Sequence, residues 1–374
     1  GFRVFGEEWL RWYYRGEHES LIAFSNAYFY DNRLVVYPSA DPNDRRVRFF
    51  FVENGNYIPK TGVNPNEAAV VLWRLIEAVK SGHHSILLVA MNERQQDAIK
   101  GLIEDYKAQS QSDRRGPMDR EMLRAFRYAK HLTVPLPYRE REVADLIDEM
   151  EEDGRLLVRN LETVQGREAD LVIISMTYGP VEGVVRKTFG PINHEGGERR
   201  INVLISRARK MLWVVSSMRY DMIRVNDNDP RGVRVLRDFL EYAERGGASH
   251  PHIEPFDSPF EEEVFRRLQV ALIKEGLDKE VELVPQVGVG RYRIDIGVMH
   301  NGRFILGIEC DGRLYHSHRT ARERDWIRQR HLERLGWRIY RIWSSEWWIN
   351  PEGVIEDVLM HIREAVANGA LTKN

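Results

Sequence analysis

The sequence predicts an α/β protein built as two unequal domains. Three observations carry that expectation. Short apolar runs alternate with helical patterns between Leu34 and Ser217, a polar stretch rich in Gly and Pro follows over residues 221–256, and a second, shorter α/β pattern starts at Ser258. At 374 residues, 43% of them hydrophobic and 30% charged, the chain is long enough for two cores.

The larger domain is expected over residues 1–220. Its runs "RVRFFFV", "SILLVAM", "RLLVRN", "LVIISM" and "MLWVVSS" read as strands that are apolar on both faces. Between them, "NPNEAAVVLWRLIEAVKS", with Asn64 as cap and Glu67 three residues on, and "NERQQDAIKGLIEDYK" read as amphipathic helices. Together they imply a parallel sheet covered on each side. Residues 109–152 are charged and helical in pattern, broken by Pro117, Pro135 and Pro137, and read as an insertion. Residues 221–256 read as a linker around one short helical piece, "VRVLRDFLEYAE".

The smaller domain is expected over residues 257–374. Ser258 caps a helix with Pro259 at its first position and Glu261 completing a capping box. "RYRIDIGVMHNGRFILGIECDG" reads as a hairpin about Asn301-Gly302. A basic helix, the strand "WRIYRIWS" and a final helix from about Pro351 complete a mixed-sheet pattern.

No apolar run approaches the roughly 20 residues of a membrane span. Gly1 to Arg15 mixes charges with aromatics, so no secretory leader is expected, and a single cysteine, Cys310, forms no internal disulfide. A cytoplasmic protein is the expectation. The net charge of −2 conceals a local imbalance: from Arg313 to Trp343 nine arginines face three acids. Such a block suits a polyanion.

The chemistry concentrates in "FILGIECDGRLYHSH". Adjacent carboxylates at the end of an apolar strand cost several kcal/mol unless a cation or a proton neutralises them. Glu309 and Asp311 are two apart on one strand, and Asp295 lies on its hairpin partner. Three carboxylates make an oxygen-rich site for Mg2+ or Mn2+. His316 lies just beyond as a candidate general base, His318 reads as a solvated loop residue, and Arg319, Arg322, Arg324 and Arg328 are candidates for phosphate contact. Cys310 alternates to the opposite face as a small buried residue.

These motifs, with "ARERDWIRQRHLERLGW" and "RIYRIWSSEWW", resemble the PD-(D/E)xK endonuclease superfamily in the branch related to very-short-patch-repair (Vsr) enzymes, over about residues 257–366. The resemblance implies that Asp295 and Glu309 bind metal, that His316 matches a catalytic histidine, and that Glu261 matches an acidic residue of the first helix. Asp311 stands where the common pattern has lysine.

In the larger domain, "WYYRGEHESLIAFSNAYFY", "TVQGREADLVIIS" and "GGERRINVLISRARKMLWVVSS" resemble motifs IV, V and VI of superfamily 1 helicases of the Upf and Dna types. This resemblance implies a RecA-like second motor domain. It implies that Arg15 and Arg207 reach the ATP phosphates, and that Gln165, Gly166 and Glu168 couple nucleotide to nucleic acid, with Arg199 and Arg200 on the approach. No GxxxxGK[ST] loop occurs and no Asp-Glu pair follows a strand, so ATP is expected to matter only beside a first motor domain, in a longer chain or a partner. The expectation is therefore a metal-dependent DNA endonuclease joined to the second half of a helicase motor, with DNA as partner. The alternative is a silent nuclease fold that only grips DNA for the motor.

Overall fold

The computed structural model describes residues 18–30, 33–34, 36–41, 44–112, 116–226, 228–247, 256, 258–288, 293–311 and 329–371. They fall into two compact units. The described parts of Ser20–Phe29 and Arg46–Ala248 form the larger, and those of Gly1–Glu19, Tyr30–Arg45 and Ser249–Asn374 the smaller.

In the larger unit the five expected strands, β1 (Val47–Phe51), β2 (Ile86–Ala90), β3 (Leu156–Asn160), β4 (Ala169–Ser175) and β5 (Ala208–Ser216), form a parallel sheet in the order β1-β5-β4-β2-β3. β2 shows why its sequence is apolar throughout. Ile86, Leu88 and Ala90 enter one core while Leu87 and Val89 enter another on the opposite face. α2 (Pro65–Lys80), α3 (Glu93–Ser110) and α4 (Arg141–Glu152) cover the first face. α1 (Ala23–Phe29), α5 (Glu198–Ile205) and α6 (Arg231–Glu244) cover the second. The side chains of Asn64 and Asn92 cap α2 and α3 by accepting from the N–H groups of Glu67 and Gln95.

Two stretches differ from the sequence expectation. Residues 116–140, between α3 and α4, hold two short 3-10 turns and are otherwise irregular. Buried Asp105 fastens them by accepting from the N–H groups of Arg124 (2.9 Å), Ala125 (3.0 Å) and Phe126 (2.8 Å). Met118, Leu123, Phe126, Leu132 and Leu136 fill the core beneath. The stretch read as a linker holds α6, whose Val233, Leu236, Phe239, Leu240 and Ala243 are buried against the second sheet face. The helical piece read there forms α6, and the Gly and Pro residues that flank it gave the stretch its linker character.

The smaller unit is a four-stranded mixed sheet, β6 (Val281–Val287), β7 (Ile294–His300), β8 (Arg303–Asp311) and β9 (Ile339–Trp343), in that order, with β8 and β9 parallel and the other pairs antiparallel. Asn301 (φ 50°) and Gly302 (φ 76°) form the hairpin turn that their sequence announces. α7 (Pro259–Glu275) and α8 (Pro351–Leu371) bury Val264, Leu268, Leu272, Ile355, Val358 and Ile362 against one face.

A strap, residues 36–41, adds to the smaller unit. Tyr37 and Ala40 pack with Ile294, Leu332 and Trp337 in a separate cluster. Trp337 Nε1 donates to Pro38 O (2.8 Å), Phe304 N to Ala40 O (2.9 Å) and Ala40 N to Leu335 O (3.2 Å). Arg303 pairs with Asp41 at 2.7 Å. These residues fall inside the range expected for the larger domain, yet their apolar surface and backbone groups are satisfied in the smaller unit.

Candidate active site

The register of the small sheet sets a row of polar side chains across it. Ile296 pairs with Ile308, and Asp295 and Glu309 follow one step beyond that pair on the neighbouring strands β7 and β8. Glu309 pairs with Arg341 of β9. Gln286 of β6 lies between the pairs Pro285–Ile296 and Val287–Ile294, and so across from Asp295. The order across the sheet is Gln286, Asp295, Glu309, Arg341. Glu309 is buried and Asp295, Asp311 and Arg341 are half-buried.

Asp295, Asp311 and Glu261 each have a definite partner. Asp295 Oδ2 accepts from the N–H of Cys310 at 2.6 Å. Asp311 pairs with Arg341 at 3.2 Å. Buried Glu261, in the first turn of α7, accepts from the Ser258 hydroxyl (2.7 Å) and from Gln286 Nε2 (2.7 Å). The Ser258 hydroxyl also caps the N–H of Glu261 at 3.3 Å. The box expected from sequence therefore forms in part, with the Glu261 carboxylate turned toward the sheet. Burial pushes the Cys310 thiol well above its usual range, and the nearby charges of Asp295, Glu261, Glu309 and Asp311 push it further. A thiol in that field stays protonated and is no nucleophile.

Among the described residues no three His, Cys, Asp or Glu side chains are arranged as a ready cation cage. His316, His318, Arg319, Arg322, Arg324 and Arg328 lie outside the described residues, as does Arg15. Sequence reading gave no separate role to Arg341 or Gln286. Their place in the row depends on strand register, which no local motif announces.

The larger unit brings its own motif residues together. Gln165, Gly166 and Glu168 sit exposed on the turn between β3 and β4, with Gly166 at φ 78°. Arg207, at the end of α5, is buried and donates to Val203 O (2.7 Å), Ser206 Oγ (3.0 Å) and Arg167 O (3.5 Å), the last of these on that turn. Arg200 pairs with Glu162 at 2.8 Å, and Arg199 is exposed.

A further cluster at the carboxyl ends of β4 and β5 was not expected. Glu67, fully buried, accepts from Ser175 Oγ (2.7 Å), Ser217 N (3.1 Å), Ser217 Oγ (3.2 Å) and the N–H of Thr177. Burial raises its carboxyl to about 7 against the pull of these donors. Thr177 holds φ at 64°, a left-handed conformation that aims its N–H at the carboxylate. A cleft of about 400 Å³ beside this hub is lined by Tyr57, Asn92, Arg94 and Tyr178 among others.

Comparison with known proteins matches the two units separately. Residues 7–219, more than half of the chain, match the AAA_12 family model, described as an AAA domain. The chain belongs to the AAA domain family. Its parallel sheet is the helicase-type part of the molecule, and residues 260–362, which carry the polar row, match the restriction-endonuclease-like model REase_MTES_1575. Among relatives, this AAA domain chain is 26% identical over 358 residues to a Mycoplasma genitalium protein named as an uncharacterized ATP-dependent helicase, MG140, covering 93% of this chain and 29% of that protein. Its Mycoplasma pneumoniae homologue is 24% identical over 357 residues, with the same coverage. The chain thus spans under a third of the length of these relatives. A helicase-type domain followed by a restriction-endonuclease-like domain is the organisation expected from sequence. No helix among the described residues is long and apolar enough to cross a membrane.

Proposed function

We propose that the smaller unit is a divalent-cation-dependent DNA endonuclease coupled to the second motor domain of a superfamily 1 helicase. The observation that carries this reading is the cross-strand row in which Asp295 and Glu309 follow the Ile296–Ile308 pair on neighbouring strands, with Arg341 paired to Glu309. Carboxylates are the hard oxygen donors that Mg2+ or Mn2+ takes. When bound there, such an ion supplies Lewis acidity and an acidic water. Asp295, Glu309 and Asp311 would hold it, and Glu261 would orient the row from α7. Arg341 supplies, from the neighbouring strand, the positive charge that Asp311 does not supply on β8, and its fixed guanidinium stabilises charge developing on the phosphate. His316 is the proposed base, and Arg319, Arg322, Arg324 and Arg328 the proposed DNA contacts.

The AAA domain match and the relatives named as ATP-dependent helicases support the motor half of the reading. Arg15 and Arg207 are proposed to meet ATP phosphates, and Gln165, Gly166 and Glu168 to relay the nucleotide state to DNA, once a first motor domain is present. One observation favours the second reading, a silent DNA-gripping module. Asp311 is paired with Arg341 and so occupies part of the charge that catalysis needs.

Incubation of the chain with supercoiled and single-stranded DNA in Mg2+ or Mn2+, beside Asp295→Ala and Glu309→Ala, separates the two. Metal-dependent cleavage lost in both variants is expected. Cleavage surviving in both sinks the site, and DNA binding without cleavage in either metal selects the silent module.

A further inference from the structure

Gln286 carries three unusual features at once. It is almost fully buried, only 4% exposed. Its backbone holds φ at 51°, inside a β-strand, where a residue with a side chain is strained. Its amide oxygen Oε1 is buried with no hydrogen-bond partner. The carboxamide is turned so that Nε2 donates to Glu261 Oε2 at 2.7 Å. The orphaned atom is therefore the oxygen, on the residue that stands across from Asp295 in the polar row.

An unmatched buried acceptor and a left-handed backbone are each unfavourable. Core packing alone does not account for both falling on one residue beside a row of acids. We propose that Gln286 Oε1 is a neutral ligand of the divalent cation, directly or through one of its waters, alongside Asp295 and Glu309. This rests on reading the site as a cation site and adds a ligand to it. A carboxamide oxygen is a hard donor of the kind such ions accept. Being uncharged, it completes a donor set without adding to the repulsion already present among Asp295, Glu309, Asp311 and Glu261. Glu261 then acts through Gln286: by holding Nε2, it presents Oε1 to the ion.

Direct titration of the full chain with Mn2+ alone, followed by electron paramagnetic resonance and calorimetry, tests this without reference to cleavage. Gln286→Leu keeps most of the volume and removes the oxygen. We expect its Kd for Mn2+ to rise at least about tenfold, in a metal-free chain that remains folded by circular dichroism. Asp295→Asn is the reference variant and should bind more weakly still. Unchanged Mn2+ affinity in Gln286→Leu overturns the inference while leaving the site reading intact. No Mn2+ binding by the folded parent chain overturns both. Should Gln286→Leu not fold, a crystal of the unaltered chain soaked in Mn2+ decides by anomalous scattering: a peak in direct or one-water contact with Oε1 supports the assignment, and a peak farther away or none overturns it.

Discussion

Glu67 shows how one side chain can satisfy a local rule and a distant one. The sequence marks it as the third residue after a helix cap, and the cap forms. Its carboxylate, however, ties together strand ends more than 100 residues away at Ser175, Thr177 and Ser217. Because the folded carboxyl titrates near 7 rather than near 4.5, the folded chain holds its proton more tightly than the unfolded chain does. The contribution of this group to stability is then greatest below about pH 4.5 and declines as pH rises through about 7, by at most about 3 kcal/mol. Urea unfolding from pH 5 to 8 should show that decline in the parent chain and not in Glu67→Gln. Parallel slopes for the two would remove Glu67 as the cause. Arg341 belongs at this scale too. Arg341→Gln should lower the proposed DNA cleavage at least about a hundredfold while Arg341→Lys retains part of it, a difference read in kcat. The acids Asp295, Glu309 and Asp311 were conspicuous in the sequence because they interrupt apolar strands. Arg341 and Gln286 were not, because each gains its meaning from the residue on the next strand.

The elements themselves were largely written in the apolar runs. All five parallel strands, the hairpin and the caps of α2 and α7 stand where periodicity and capping chemistry place them. Residues 116–140 were not legible as irregular structure, because their order comes from a single carboxylate, Asp105, reaching three N–H groups. Asp105→Ala leaves those donors without their acceptor and should cost roughly 3 kcal/mol, with earlier proteolytic cutting between Met118 and Leu136. Undiminished protease resistance would show that the apolar contacts suffice. In the small sheet, Gly297 pairs with Gly307 next to the polar row. A Cβ at Gly307 would lie 2.8 Å from Ile339 Cδ1 and 3.1 Å from Trp337 Cε3. Gly307→Val should therefore destabilise the unit by about 1–3 kcal/mol in urea titration, and a neutral result would mean that β9 shifts freely.

At the scale of the whole molecule, the two units do not follow one another in simple order along the chain. The smaller unit takes Tyr37, Pro38 and Ala40 from far upstream of its sheet. A protein comprising only residues 249–374 would lose the acceptor of the Trp337 indole N–H and the cover over Phe304, and is expected to unfold at lower urea than the same protein with residues 30–45 joined to it. Equal midpoints would make the strap dispensable. A separate small domain was the natural sequence expectation because its helices, hairpin and motif residues are contiguous, whereas the strap carries no motif and shows its allegiance only in its contacts.

The strap also sets the order of events during synthesis. Pro38 and Trp337 are 299 residues apart. At about 5–20 residues per second, a ribosome takes on the order of 15–60 s to make the second after the first. The parallel sheet of the larger unit, encoded between them, is complete and free to fold while Tyr37 and Ala40 still await their partners. A stall or truncation after β5 would leave those apolar side chains uncovered, in a form open to chaperones and to self-association.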